Sequence, residues 1–213
     1  MMTSFVPGAV GDSQPILKAN AKSGRFTVDD ASVTRIQFIA DLENAEAGWM
    51  RFGENMSPDF RLVKVADLLA GSTPYPPPPD VRDKDGKLLY RRGFRLMVKI
   101  GDKLAGGRPS VRDLASNSFV MTTAIDDLVR AWYLQRQPGK LPVVEVSEWE
   151  EVKGAHGSNF KPIFLIKKLV DRPADLDGST ASASSSTDDD APPAHVADVA
   201  GEPEDFDDFG EAA

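Results

Sequence analysis

Along residues 33–42 (VTRIQFIADL) apolar and polar side chains alternate, with Ile36, Phe38, Ala40 and Leu42 on one face, Arg35, Gln37 and Asp41 on the other, and Ile39 as the exception. Period-two alternation of this kind predicts a half-buried strand. Residues 44–48 (NAEAG) read as a turn and 49–52 (WMRF) as the returning strand of a hairpin, with Trp49 and Arg51 on one side. A short strand follows at 60–65, after which glycine, serine and the prolines 76–79 predict an extended loop. Beyond the Asp85-Gly86 turn comes the strongest alternation in the chain, 88–100, where Phe94, Leu96, Val98 and Ile100 oppose Arg95, Met97 and Lys99.

Residues 102–110 are glycine-rich and read as a connection. Ser116, Asn117 and Ser118 then offer helix caps, and Phe119, Thr122, Ile125, Leu128, Val129 and Trp132 recur at helical spacing. They predict one long helix ending near Pro138-Gly139. Two strands, 143–152 and 163–170, close the pattern as a hairpin around 154–159. About six strands and one late helix predict a mainly β (α+β) fold, an OB-fold-like curved sheet or barrel with an exposed nucleic-acid groove. Trp132 is expected in the core, and Trp149, on the polar face of its strand, under the proline-rich loop or a partner.

Charge divides the chain. From Asp171 onward there are 13 acidic residues and one basic one, Arg172, a net −12; the first 170 residues carry +4. The acidic part is rich in Ser, Ala, Asp, Gly and Pro and buries too little apolar surface to offset ordering, so composition predicts a disordered tail. Three regions are expected: an N-terminal extension over 1–32, a nucleic-acid-binding domain over 33–170 and the acidic tail over 171–213.

Catalytic chemistry finds little support. There is no cysteine, and the two histidines, His156 and His195, sit in a glycine-rich loop and in the tail. The loop 101–110 lacks the Lys-Ser/Thr pair of a phosphate-binding loop and has Gly107, Arg108 and Pro109 there instead. Asp126 with Asp127, and Glu148 with Glu150 and Glu151, form no metal-ligand pattern, because adjacent helical residues diverge and exposed strand acids are commonplace. No enzyme activity, metal or cofactor is expected. The N-terminus lacks a signal-peptide pattern and no run of about 18 apolar residues occurs, which predicts a cytoplasmic chain without membrane spans.

Between 84 and 112 nine Lys/Arg residues meet two aspartates, with Tyr90 and Phe94 interleaved. Backbone tracking plus base stacking needs that mixture. The candidate nucleic-acid-binding set is therefore Arg51, Arg91, Arg92, Arg95, Lys99, Lys103 and Arg108 for phosphates, with Trp49, Tyr90 and Phe160 for bases.

The C-terminal end, Glu204-Asp205-Phe206-Asp207-Asp208-Phe209, resembles the acidic, aromatic-bearing tips of bacterial and bacteriophage single-stranded DNA-binding proteins. The layout of basic β-rich domain, low-complexity linker and acidic tip is similar too. The family tip ends at or near its phenylalanine, whereas Gly210-Glu211-Ala212-Ala213 follow here. The resemblance implies that Phe206 and Phe209 anchor replication or recombination partners, with Asp205, Asp207 and Asp208 as the charges. A single-stranded DNA-binding protein is the expectation, with phage or host coding and a monomeric or homo-oligomeric state left open. Its rivals are a structural or assembly protein, for instance viral, with a solubilising tail, and an enzyme with an unrecognised carboxylate site.

Overall fold

The computed structural model describes residues 15–53, 56–154 and 157–177. The tip residues Asp205, Phe206, Asp207, Asp208 and Phe209, both histidines and residues 1–14 lie outside them. The described chain is mainly β, antiparallel throughout its named strand pairs, with four helices.

The spine of the large sheet is β7 (Arg91–Ile100), the segment with the strongest alternation. Its Phe94, Leu96, Val98 and Ile100 enter the main core. On one edge it pairs with β8 (Val111–Ser116). On the other edge, β4 (Ile36–Ala40) pairs with its C-terminal part and β5 (Glu46–Gly53) with its N-terminal part. Ala40 faces Val98 and Glu46 faces Arg95, so residues 41–45 stand where β7 has only Leu96 and Met97. The backbone N–H of Asp41 still donates to Met97 O at 2.9 Å, and Leu42 and Ala45 turn into the core. The hairpin expected at 44–48 is therefore absent: β4 and β5 are one strand direction, interrupted. The returning strand is β6 (Met56–Lys64), which pairs with β5, while β4 pairs with β9 (Lys140–Gly154). β10 (Gly157–Asp171) pairs with β9 along its length.

The core has two parts. The main one lies between the sheet and α3 (Phe119–Tyr133), whose Met121, Ile125, Leu128, Val129 and Trp132 face Phe38, Leu96 and Val98. On the opposite face of the sheet Ile39, Met97, Val111, Leu141, Val143 and Leu176 form a smaller cluster. That cluster explains the exception at Ile39, because β4 is covered on both faces. Phe119 departs from its expected place in the apolar stripe: it is 81% exposed. A residue two positions before Met121 lies about 200° from it around the helix, on the face shared with Thr122, Thr123, Asp126 and Arg130.

Residues 15–33 are part of the fold rather than an extension. β1 (Leu17–Asn20), β2 (Arg25–Val28) and β3 (Ala31–Val33) make a small meander that places Leu17, Phe26 and Val28 in the main core. The meander is hooked to β8, where Asp113 N–H donates to Pro15 O at 2.9 Å, and to the last hairpin, where Phe160 N–H donates to Ala21 O at 2.6 Å. Trp149 is covered by this meander and not by the proline-rich loop: its ring meets Phe26 at 5.2 Å and its Nε1 donates to Thr34 O at 3.0 Å.

The described fold also runs further into the acidic segment than composition suggests. Arg172 donates to the buried Asp41 and to Glu43, and pairs with Asp177 at 2.6 Å. The short α4 (Ala174–Asp177) buries Leu176 completely. α1 (Val65–Leu69) follows β6, and α2 (Asp102–Ala105) follows β7. Among the described residues no helix is long and apolar enough to cross a membrane.

The sheet is tightest where Gly48 of β5 faces Gly93 of β7. A Cβ on Gly48 would lie 2.1 Å from Arg61 O of β6, and one on Gly93 would lie 2.3 Å from Met50 Sδ and 2.6 Å from Ser116 O. A backbone oxygen cannot move aside without breaking its ladder. Gly48→Ala is therefore expected to destabilise the protein by about 1–3 kcal/mol, measured as a lower urea midpoint; an unchanged midpoint would contradict the close approach.

Candidate nucleic-acid interface

The residues singled out from sequence fall on different surfaces. Arg95 and Lys99 sit on the face of β7 that carries Met97, away from the main core. Arg95 pairs with Asp113 at 2.7 Å under the ring of Phe60, and Lys99 pairs with Asp175 of α4 at 2.9 Å. Burial raises the pKa of Asp113, an effect that Arg95 opposes. Burial likewise raises Glu46 on the neighbouring strand; Arg95 opposes, Asp113 adds to the rise and Lys64 opposes. One guanidinium thus serves two carboxyl groups. Arg108 pairs with Asp29 at 3.1 Å, beside the fully buried Arg112 on the same carboxylate. Lys103 lies on α2 at the edge of this region and has a partner of its own.

The aromatic candidates are occupied. Tyr90 is 5% exposed and its hydroxyl donates to Asp59, which, with burial, raises the tyrosine pKa. Trp49 donates from Nε1 to Pro76 O at 2.7 Å and meets Tyr75 edge-on at 6.2 Å. The proline-rich segment thus covers Trp49, and the Tyr75 hydroxyl, donating to Gly48 O at 2.9 Å, pins the same segment to β5. Phe160 is half-buried against the turn at Gly24, whose φ of 63° lets the backbone pass over the ring. Arg51 is half-buried and paired.

Arg91 and Arg92 lie elsewhere, at the exposed N-terminal end of β7, and they open onto a groove of about 1290 Å³. One wall is the β1–β2 turn with the ends of the last hairpin; the other is α1 with Tyr75; α3 and the start of β7 form the floor. Six cations line it, Lys18, Lys22, Arg91, Arg92, Arg130 and Lys153, against one carboxylate, Asp126. Lys18, Lys22, Arg91 and Lys153 make no ion pair among the described residues. Six positive charges converging on one open surface leave a field that a polyanion would neutralise.

Aromatic surface stands beside this charge. Phe119 projects at the first turn of α3, and the Arg92 guanidinium lies over the Tyr75 ring, 4.6 Å from its centroid. Asp126 sits between Arg92 and Arg130; partial burial raises its pKa, Arg130 and then Arg92 oppose the rise, and Asp127 adds to it. Four of these cations and both aromatics were not among the candidates from sequence. Lys18 of β1, Lys22 of the turn after it, Arg130 of α3 and Lys153 of β9 form no run in the chain. The one readable signal was Phe119, an apolar residue in register with Asp126 and Arg130 rather than with the buried stripe.

Among the described residues no group of three or more His, Asp or Glu is placed to hold a metal ion. Compared with known protein families, curated proteins and solved structures, the chain matches none.

Proposed function

We propose that the protein binds single-stranded DNA along the groove between α3, the N-terminal meander and the start of β7, and acts in DNA replication or recombination. The observation that carries this reading is the convergence of six cations and one carboxylate on a surface that also presents Phe119 and the Arg92–Tyr75 stack. Single-strand binders without sequence preference combine a basic groove for the backbone with aromatic rings for the bases. A duplex has no unstacked base to offer those rings. No catalysis is part of the reading.

The architecture supports it. We read the strand interrupted midway, pairing β9 with one half and β6 with the other, together with a helix ahead of a final hairpin, as OB-fold-like, an architecture that commonly carries oligonucleotide sites. The charge split and the acidic, phenylalanine-bearing end support a division of labour in which the body holds DNA and Asp205–Phe209 recruits replication or recombination proteins in the cytoplasm. The rival, a structural or assembly protein, calls for a stable oligomer with no affinity for single strands.

Two outcomes test the groove. Each phosphate contact on a single strand lowers log K by about 0.7 per decade of salt, so six contacts give a slope of about −4. Changing Lys18, Lys22 and Lys153 together to Ala should reduce that slope by about 2 for every sequence alike, whereas the same treatment of Arg95, Lys99 and Arg108 should leave it unchanged. Phe119→Ala should cost about 1–3 kcal/mol of affinity with the melting temperature unaltered, because the ring is already exposed. Unchanged binding in both groove variants would assign the surface another role.

The second outcome concerns Asp126. Its negative charge opposes phosphate, and protonation removes it; since its pKa is raised, that relief sets in at a higher pH than for an ordinary carboxylate. Affinity should therefore rise as pH falls through the raised value. Asp126→Asn should bind more tightly than the parent at neutral pH and show a flatter pH profile, measured by fluorescence anisotropy of a labelled oligonucleotide; parallel profiles would exclude Asp126 from the interface.

A further inference from the structure

The proline-rich segment that leads into β7 is fastened to the sheet beside Arg92. Trp49 and Arg92 are cross-strand partners on β5 and β7. Trp49 Nε1 donates to Pro76 O at 2.7 Å, the Trp49 ring meets Tyr75 edge-on at 6.2 Å, and the Tyr75 hydroxyl donates to Gly48 O at 2.9 Å. These contacts hold Tyr75 against Arg92, whose guanidinium carbon lies 4.6 Å from the centre of the ring and whose Nε donates to the same hydroxyl at 3.3 Å. Tyr75 and Arg92 both line the groove.

Two features set Arg92 apart from the other cations of the groove. The first is preorganisation. Ordering a long, exposed side chain on a ligand costs rotamer entropy, yet Arg92, although exposed, already has its plane set by the ring and the hydroxyl of Tyr75. The second is unused chemistry. The hydrogen bond to Tyr75 engages Nε alone; among the described residues the two terminal nitrogens meet no acceptor, and Asp126 adds its charge nearby without closing a salt bridge to Arg92. A lysine would supply the same charge, but a flat, weakly hydrated guanidinium also stacks.

We propose that Arg92 is a base-stacking residue: a nucleobase of the strand in the groove lies on the guanidinium that Tyr75 backs, and the terminal nitrogens meet an adjoining phosphate. Unstacked bases are taken up on guanidinium planes in this manner in single-strand complexes. Tyr75 and Trp49 are positioning residues, Tyr75 by holding the plane and Trp49 by holding the segment that carries Tyr75. Trp49 thus serves the strand without touching a base. The proposal rests on the groove being the strand-binding surface, and it divides the cations there by task. Arg92 responds to a base, whereas Lys18, Lys22 and Lys153 respond to phosphate alone.

The test compares the full chain with Arg92→Lys, which keeps the charge and removes the plane, on two labelled strands of equal length, an oligothymidylate and a fully abasic deoxyribose-phosphate oligomer. On oligothymidylate Arg92→Lys should bind about tenfold more weakly at every salt concentration, the worth of one stacked base, with the slope of log K against log salt unchanged. On the abasic strand parent and variant should bind alike. Tyr75→Phe keeps the ring and removes the hydroxyl bonded to Gly48 and Arg92; it should show the same base-dependent loss at about fivefold. Arg91→Lys, the neighbouring change of arginine to lysine, should show no loss on either strand. An equal loss on both strands would make the contact between Arg92 and Tyr75 a structural latch and overturn the stacking role, as would unchanged binding of Arg92→Lys to oligothymidylate; salt-dependent binding by the parent would then leave the groove reading standing. A parent without salt-dependent binding to either strand would overturn both.

Discussion

The fold turns on a buried carboxylate. Asp41 is 1% exposed and stands where β4 gives way to β5. A charge in that position must be paired and hydrogen-bonded, or the strand break would not hold. Arg172 grips both of its oxygens, and Asn44 adds a side-chain donor at 3.0 Å. The interruption lets β7 lie against β4 and β5 in turn, which brings β9 and β6 to the same side of the sheet. The same arginine ties the end of β10 to the middle of the chain and sets α4 down with Leu176 in the second core. Removing one partner of such a pair strands the other, which is why these devices are costly to break even where they add little net stability.

That arrangement also decides which surface remains electrostatically open. On the face of β7 that α4 reaches, Lys99 meets Asp175 and Arg95 meets Asp113, while Asp29 in the meander's tight turn pairs with both Arg108 and Arg112. Those cations are consumed within the fold. On the other side the meander, α3 and the hairpin ends converge with few acids, and the charges of Lys18, Lys22, Arg91 and Lys153 stay uncompensated among the described residues. Mutual repulsion across the groove is a cost that a bound phosphate backbone removes, so the folding arrangement and the proposed binding share one electrostatic origin. Arg92 stacked on Tyr75 gives the groove a flat plane, and Phe119 gives it a bare ring.

What local periodicity controls was readable from the chain. The alternation of β7 and β4 and the apolar stripe of α3 named core residues that the structure buries, including Phe38, Leu96, Val98, Ile125 and Trp132. Features that depend on distant partners were not. β8 escaped notice because Arg112, wholly buried against Asp29, breaks its apolar pattern. The meander escaped because three strands of three or four residues carry too short a period to register. Turn-like chemistry at 44–48 is the same whether a chain reverses or bulges, and only the register on β7 separates the two. The basic run at 84–112 was visible as charge, but its ion pairs to Asp113, Asp175 and Asp29 were not, and neither were the four lysines and arginines that fold into the groove from β1 and the turn after it, α3 and β9.

The most direct test of the central claim is amide hydrogen exchange of the full chain with and without a saturating oligothymidylate. A strand lying in the groove should slow exchange at 18–22, 91–93, 117–130 and 152–154, while 102–108 and 172–177 exchange as in the free protein. Protection confined to 102–116 and 172–177, with the groove segments unchanged, would contradict the account and return the interface to the opposite face of β7.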